Sequence, residues 1–152
     1  MENSDYIYGI RAVIEAVEAG REIDKVFVAN TLQGDLAREL MSVLKANKIL
    51  LQKVPIEKIN RLTRRNHQGV VAMLSAVSYA RLDTVVPSLF EEGRVPLIVV
   101  LDGITDVRNF GAIARTCECA GVDAIVIPRR GGVSVGADAM KTSAGALSYL
   151  PV

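Results

Sequence analysis

The sequence predicts an α/β protein built as two successive layered units. Three observations carry this. Hydrophobic spacing alternates along the chain between a helical and a strand period, the alternation breaks once over residues 79–94 around Pro87 and Gly93, and it resumes from residue 95. With 152 residues, half of them apolar, the chain suffices for one ordinary domain or two small ones with a real core.

The first unit opens on YIYGIRAVIEAVEAG, where Ile10, Val13, Ile14 and Val17 mark one helical face and Gly20 ends it. KVFVAN follows as a short strand, and residues 34–46 return to helical spacing through Leu36, Leu40, Val43 and Leu44. ILLQKV is a second strand, PIEKINRLT a short basic helix, and GVVAMLSAV a third strand after the polar turn NHQ. Residues 79–94 then read as a linker carrying at most a helical turn. In the second unit Leu97–Leu101 is a strand, about Asn109 to Ala120 a helix, and Ala124–Ile127 a strand. A short helix is expected around Gly136 to Met140, then a Ser-Ala-Gly-Ala turn and YLPV as a strand entry. From Val95 this unit has 58 residues, short for a domain, which predicts that the fold continues beyond Val152.

A net charge of +1 excludes a field that would grip nucleic acid everywhere, so any such contact needs a local patch. The sequence supplies one. Residues 53–65, KVPIEKINRLTRR, carry Lys53, Lys58, Arg61, Arg64 and Arg65 against Glu57 alone. By composition this run is as well a solvated helix face as an RNA contact. Two cysteines at positions 117 and 119 point different ways on a helix and form no disulfide framework, which suggests a reducing, cytoplasmic setting. The longest apolar run, PLIVVL, is far short of a membrane span of about 18 residues. One histidine and two closely spaced cysteines build no metal site, and GxGxxG, P-loop and GxSxG motifs are missing.

The chemically pointed stretch is DGITDVRNFGAIARTCECAG, residues 102–121, directly after an apolar strand. Ligands of open α/β sheets sit beyond the carboxyl ends of strands, beside helix N-termini. Asp102 and Gly103 leave the strand, and Asn109 suits a helix cap accepting from Gly111 or Ala112. Gly111 permits close approach of another chain or a sugar. Arg115 lies about 9 Å further along the axis and leans back, so Asn109 and Arg115 are expected to converge. Each residue also has a plainer reading: Asn109 as an ordinary cap, Arg115 as a solvated surface residue, His67 as a local hydrogen-bonding residue of its turn.

LDGITDVRNFGAIARTCECAGVDAIVIP resembles the first motif of the SpoU family of RNA ribose 2′-O-methyltransferases, within the knotted SPOUT superfamily. Asp102, Gly103, Asp106, Asn109, Gly111, Arg115, Thr116 and Gly121 fall at the family's places; KTSAGALSYLPV resembles its Lys-x-Ser-x-Gly-Ala segment. YGIRAVIEAV and NHQGVVA resemble the auxiliary domain of the branch that methylates a guanosine ribose in 23S rRNA. The resemblance implies residues 1–78 as a ribosomal-protein-like RNA-recognition domain, 79–94 as a linker, and 95–152 as the first half of a trefoil-knot catalytic domain. It also implies S-adenosyl-L-methionine as methyl donor, with pocket residues downstream of Val152, and a homodimer for the full-length protein. The implied catalytic residues are Arg115 and Asn109; RNA contacts fall on Lys58, Arg61, Arg64, Arg65, Asn66, His67, Gln68 and Arg108. A guanidinium is a poor proton acceptor, so Arg115 is read as a charge-assisted donor to phosphate or to the forming alkoxide. Two other readings remain: an RNA-binding or ribosome-associated module without catalysis, and a generic nucleotide-binding half-domain, which the missing phosphate loop disfavours.

Overall fold

The computed structural model describes residues 6–152. They form two compact units that divide between Ser75 and Ala76. The division falls where backbone bonding changes sides: Ser75 N–H donates to Glu22 O, and Ala76 N–H to Val135 O.

The first unit runs β1 (Tyr6–Tyr8), α1 (Ile10–Glu18), β2 (Ile23–Ala29), α2 (Asp35–Ala46), β3 (Leu51–Val54), α3 (Ile56–Leu62) and β4 (Val70–Leu74). Tyr-Ile-Tyr, expected at the head of the first helix, is therefore a strand. Gly9, at φ 96°, makes the corner between the two. The strand exists because β1 pairs antiparallel with β4 more than sixty residues away, Tyr8 opposite Val71. Sheet order is β1-β4-β2-β3, with only β2–β3 parallel, joined by the α2 crossover. One face packs α1 and α2 through Val13, Ile14, Leu40 and Leu44 onto Val26, Val28, Val70 and Ala72. The other face places Phe27, Ala29, Val54 and Val71 against Ile59 of α3.

The second unit contains α4 (Leu82–Glu91), β5 (Ile98–Val100), α5 (Val107–Cys119), β6 (Ala124–Val126), α6 (Ala137–Thr142) and a 3-10 turn, Ala146–Ser148. The segment expected as a linker is thus a ten-residue helix within the second unit. Pro87 stands at the sixth helical position without ending the helix, whose Leu89 is buried. β5 and β6 pair in parallel. Their core joins Leu101, Phe110, Ala114, Ile125, Val135, Ala139, Leu147 and Leu150. YLPV is not a strand, although Ile125 N–H donates to Pro151 O at 2.9 Å. Asp123, just before β6, fastens the approach to β5: its carboxylate accepts from Leu97 N–H at 2.8 Å and pairs with Arg94, while only 4% exposed.

Candidate functional site

At the carboxyl end of β5 the chain turns through Gly103, at φ 77°, into α5. Asp106 has extended backbone (φ −82°, ψ 123°) and its Oδ1 accepts from Asn109 N–H at 2.8 Å. The cap is therefore Asp106, and Asn109 lies inside the first turn. The expectation of Asn109 as cap fails for a local reason: the helix begins two residues earlier, and a carboxylate there also complements the helix dipole. Asp106→Ala is expected to destabilise the second unit by about 1 kcal/mol, seen as a lower urea midpoint, with Asp106→Ser retaining most of the stability.

α5 buries Phe110, Gly111, Ala114 and Cys117. Asn109 and Arg115, both exposed, stand about 120° apart around the axis at 100° per residue, on either side of exposed Ala112. The structure thus does not align the two on one line of the helix. Arg115 instead shares a line with Arg108, seven residues before it. Among the described residues no carboxylate is ion-paired with either guanidinium. Arg108 occupies the first turn, where the dipole disfavours a cation. An anion on this face would meet both guanidinium groups and the favourable end of the dipole. The buried thiol of Cys117 is pushed up by desolvation, away from thiolate chemistry. Cys117 and Cys119 are free thiols, one buried and one exposed.

Gly111 serves a purpose other than the one expected. A β-carbon there would stand 2.7 Å from both the β-carbon and carbonyl carbon of Thr142, so α6 fills the space reserved for a sugar or another chain. Thr142 Oγ1 bridges the two helices, donating within reach of Asp138 O (2.8 Å) and Val107 O (3.3 Å). Ser143 is fully buried and donates to Met140 O at 2.9 Å. The Lys-Thr-Ser-Ala-Gly segment hence braces the first turn of α5. A cleft of about 410 Å³ opens at the other end of α5, lined by Leu89, Glu92, Glu118 and Tyr149 among others.

In the first unit Arg61, Arg64 and Asn66 are exposed, as is Lys58, whose Nζ lies 4.8 Å from the Phe27 ring centroid. Arg65 donates to Tyr8 Oη at 2.6 Å and stands over that ring. His67 and Gln68 serve the fold. Gly69 N–H donates to His67 Nδ1 at 3.0 Å, so Nε2 carries the proton and donates to Asn60 Oδ1 at 2.8 Å. Gln68, at φ 50°, accepts from Ile10 N–H at 3.2 Å and so binds the turn to the start of α1. Sequence reading overlooked Tyr6, Tyr8 and Lys25 as half-buried residues of one sheet face beside the buried Phe27. The period-2 spacing of YIY and KVF was the signal that could have placed them on one sheet face.

Among the described residues no group of three His, Cys, Asp or Glu is placed to hold a metal ion, and no helix is long and apolar enough to cross a membrane. Residues 6–80 match the family model described as RNA 2′-O ribose methyltransferase substrate binding; residues 96–152 match the SpoU rRNA methylase family. The chain is 36% identical over 152 residues to the Bacillus subtilis protein YacO, assigned to the TrmH family of tRNA/rRNA methyltransferases, covering 99% of this chain and 61% of that one. A Staphylococcus saprophyticus protein with the same assignment is 35% identical over 146 residues, 96% of this chain and 59% of that one. The chain thus spans about three fifths of the length of these curated relatives. An AdoMet-bound rRNA methyltransferase from Sinorhizobium meliloti superposes with a TM-score of 0.42 at 23% identity, covering 97% of this chain and 52% of the other.

Proposed function

Because this chain belongs to the SpoU family, we propose that the complete protein transfers a methyl group from S-adenosyl-L-methionine to a ribose 2′-hydroxyl of RNA. The observation that carries the proposal is the match of both units, in order, to the substrate-binding and methylase models of one family. The finer reading is a guanosine of 23S rRNA as target, a homodimer as the working form and the cytoplasm as its place.

The methyl donor supplies an electrophilic carbon; the chain must orient the hydroxyl in line with it and stabilise charge forming on oxygen. What supports assigning that task to Arg115 and Arg108 is that they are two guanidinium groups on one exposed line of α5 without a carboxylate partner among the described residues. Arg115 holds a phosphate or the forming alkoxide by a charge-assisted bond, and the hydroxyl proton passes to phosphate or water. Asn109, about 120° around the helix from Arg115, is assigned to orient the sugar.

The test uses the complete protein, rRNA and methyl-labelled S-adenosylmethionine. Label in alkali-resistant dinucleotides is expected, because a 2′-O-methyl group blocks cleavage at that phosphate. Label confined to bases would overturn the reading, and RNA binding without transfer would leave only a recognition module. Separately, Arg61→Ala with Arg64→Ala is expected to weaken RNA binding and flatten its logarithmic salt dependence by about 1 to 2, since each lost phosphate contact releases fewer counterions. An unaltered slope in a filter-binding titration would make these arginines a solvated surface.

A further inference from the structure

The α3 face of the first sheet carries cations over its aromatic rings in addition to the apolar side chains, Tyr6, Tyr8 and Met73 among them, that pack against its core. Registers place Tyr8, Val71, Phe27 and Gln52 in one row across the four strands, and Tyr6, Met73 and Lys25 in the next. α3 covers the Ala29 and Val54 end of this face through Ile59, leaving Tyr6, Tyr8, Lys25 and Met73 half-buried and Gln52 exposed. Over Phe27 two ammonium groups converge, Lys58 Nζ at 4.8 Å and Lys25 Nζ at 5.8 Å from the ring centroid. Neither is ion-paired to a carboxylate among the described residues. Arg65 adds a third cation over Tyr8 at 5.5 Å.

Cation–π contacts at exposed sites stabilise by only about 0.5–1 kcal/mol each, and like charges over one ring oppose each other. The arrangement makes sense for a partner that brings negative charge and flat rings together. We infer that this half-buried part of the face is a stacking platform for unpaired nucleotides, Tyr6, Tyr8 and the Arg65 guanidinium receiving bases while Lys25 and Lys58 hold phosphates. Gln52, at the end of the Tyr8 row, offers donor and acceptor to a base edge. Duplex RNA fits poorly: its bases are stacked internally, and a helix offers this face only phosphates and sugars, whereas unpaired loops splay their bases onto aromatic and guanidinium planes. The nature of the ligand as RNA rests on the function proposed above; the platform and its residues rest on the sheet geometry.

The test is a fluorescence-anisotropy titration of the full chain with three RNAs of equal charge: an unpaired oligonucleotide, the same backbone without bases, and a hairpin duplex. The unpaired RNA is expected to bind at least about 10-fold more tightly than the abasic one, as base–aromatic stacking predicts. Tyr8→Leu and Tyr6→Leu are each expected to remove about 5-fold or more of that preference while leaving abasic affinity and the salt slope unchanged; Tyr8→Phe keeps the ring and the preference. Equal affinity for base-bearing and abasic RNA overturns the platform, and this comparison on the unaltered chain stands even where a leucine variant unfolds. Folded leucine variants that bind as the parent does, or a duplex bound as tightly as the unpaired strand, overturn it equally. Methyl transfer by the complete protein separates the two claims: transfer with no base preference removes the platform alone, whereas base preference without transfer removes the enzymatic reading alone.

Discussion

Arg115→Ala in the complete protein is expected to lower kcat for RNA methyl transfer by on the order of 100-fold or more, with RNA affinity changed by less than about 3-fold. The asymmetry follows from where the residue stands. Arg115 is on the exposed line of α5 beyond the β5 strand end, while the residues assigned to RNA grip, Arg108 apart, are in the first unit. In the alkoxide role, a donor aimed at charge that develops only during transfer contributes little to ground-state binding, so its loss appears in kcat and not in KM. Arg115→Lys keeps the charge but not the planar fork, and is expected to recover only part of the rate. Single-turnover kinetics with saturating RNA decide the matter. A variant with wild-type turnover would return Arg115 to the solvated surface, and one losing affinity and rate together would make it an RNA-binding residue.

Gly111→Ala is expected to destabilise the second unit by about 2–3 kcal/mol, against the roughly 1 kcal/mol of stabilisation that alanine brings to an ordinary helix interior. The added methyl would stand 2.7 Å from the Thr142 carbonyl carbon, and a backbone atom cannot yield as the end of a flexible side chain can. Either α6 must move away from α5, loosening the Thr142 bridge to Val107 O, or the first turn of α5 must unwind. A fall in Tm of roughly 4–8 °C per kcal/mol for a unit of this size makes the effect easy to see in a thermal melt. A melt unchanged or raised would show that the helices are not held this closely. Because the same turn presents Arg108 and Asn109, methyl transfer is expected to fall beyond what the loss of folded protein accounts for.

Most elements were legible because their signal is local. α1, α2 and α5 announce themselves by apolar residues at helical spacing, and their buried faces, such as Val13, Ile14 and Val17 on α1 or Leu40 and Leu44 on α2, are those the spacing predicts. Where the reading failed, the deciding contact was distant or the local signal ambiguous. Tyr6–Tyr8 abuts a helical pattern and becomes a strand only through β4. Residues 82–91 contain a proline and still form a helix, because Leu89 finds a place in the second unit. Asn109 looked like the cap, but hydrogen-bond geometry chose Asp106.

Amino-acid order by itself determined the two α/β units, the helical faces that go inside, the basic run at 53–65 and the ordered motifs that mark the family, since all of these are written in spacing and residue type. Tertiary structure alone decided that Gly111 belongs to Thr142, that Gln68 secures the start of α1 and that Arg65 lies over Tyr8. The last two pairs are separated by 58 and 57 residues. No periodicity reaches that far: such contacts exist only once the sheet has set its strand order.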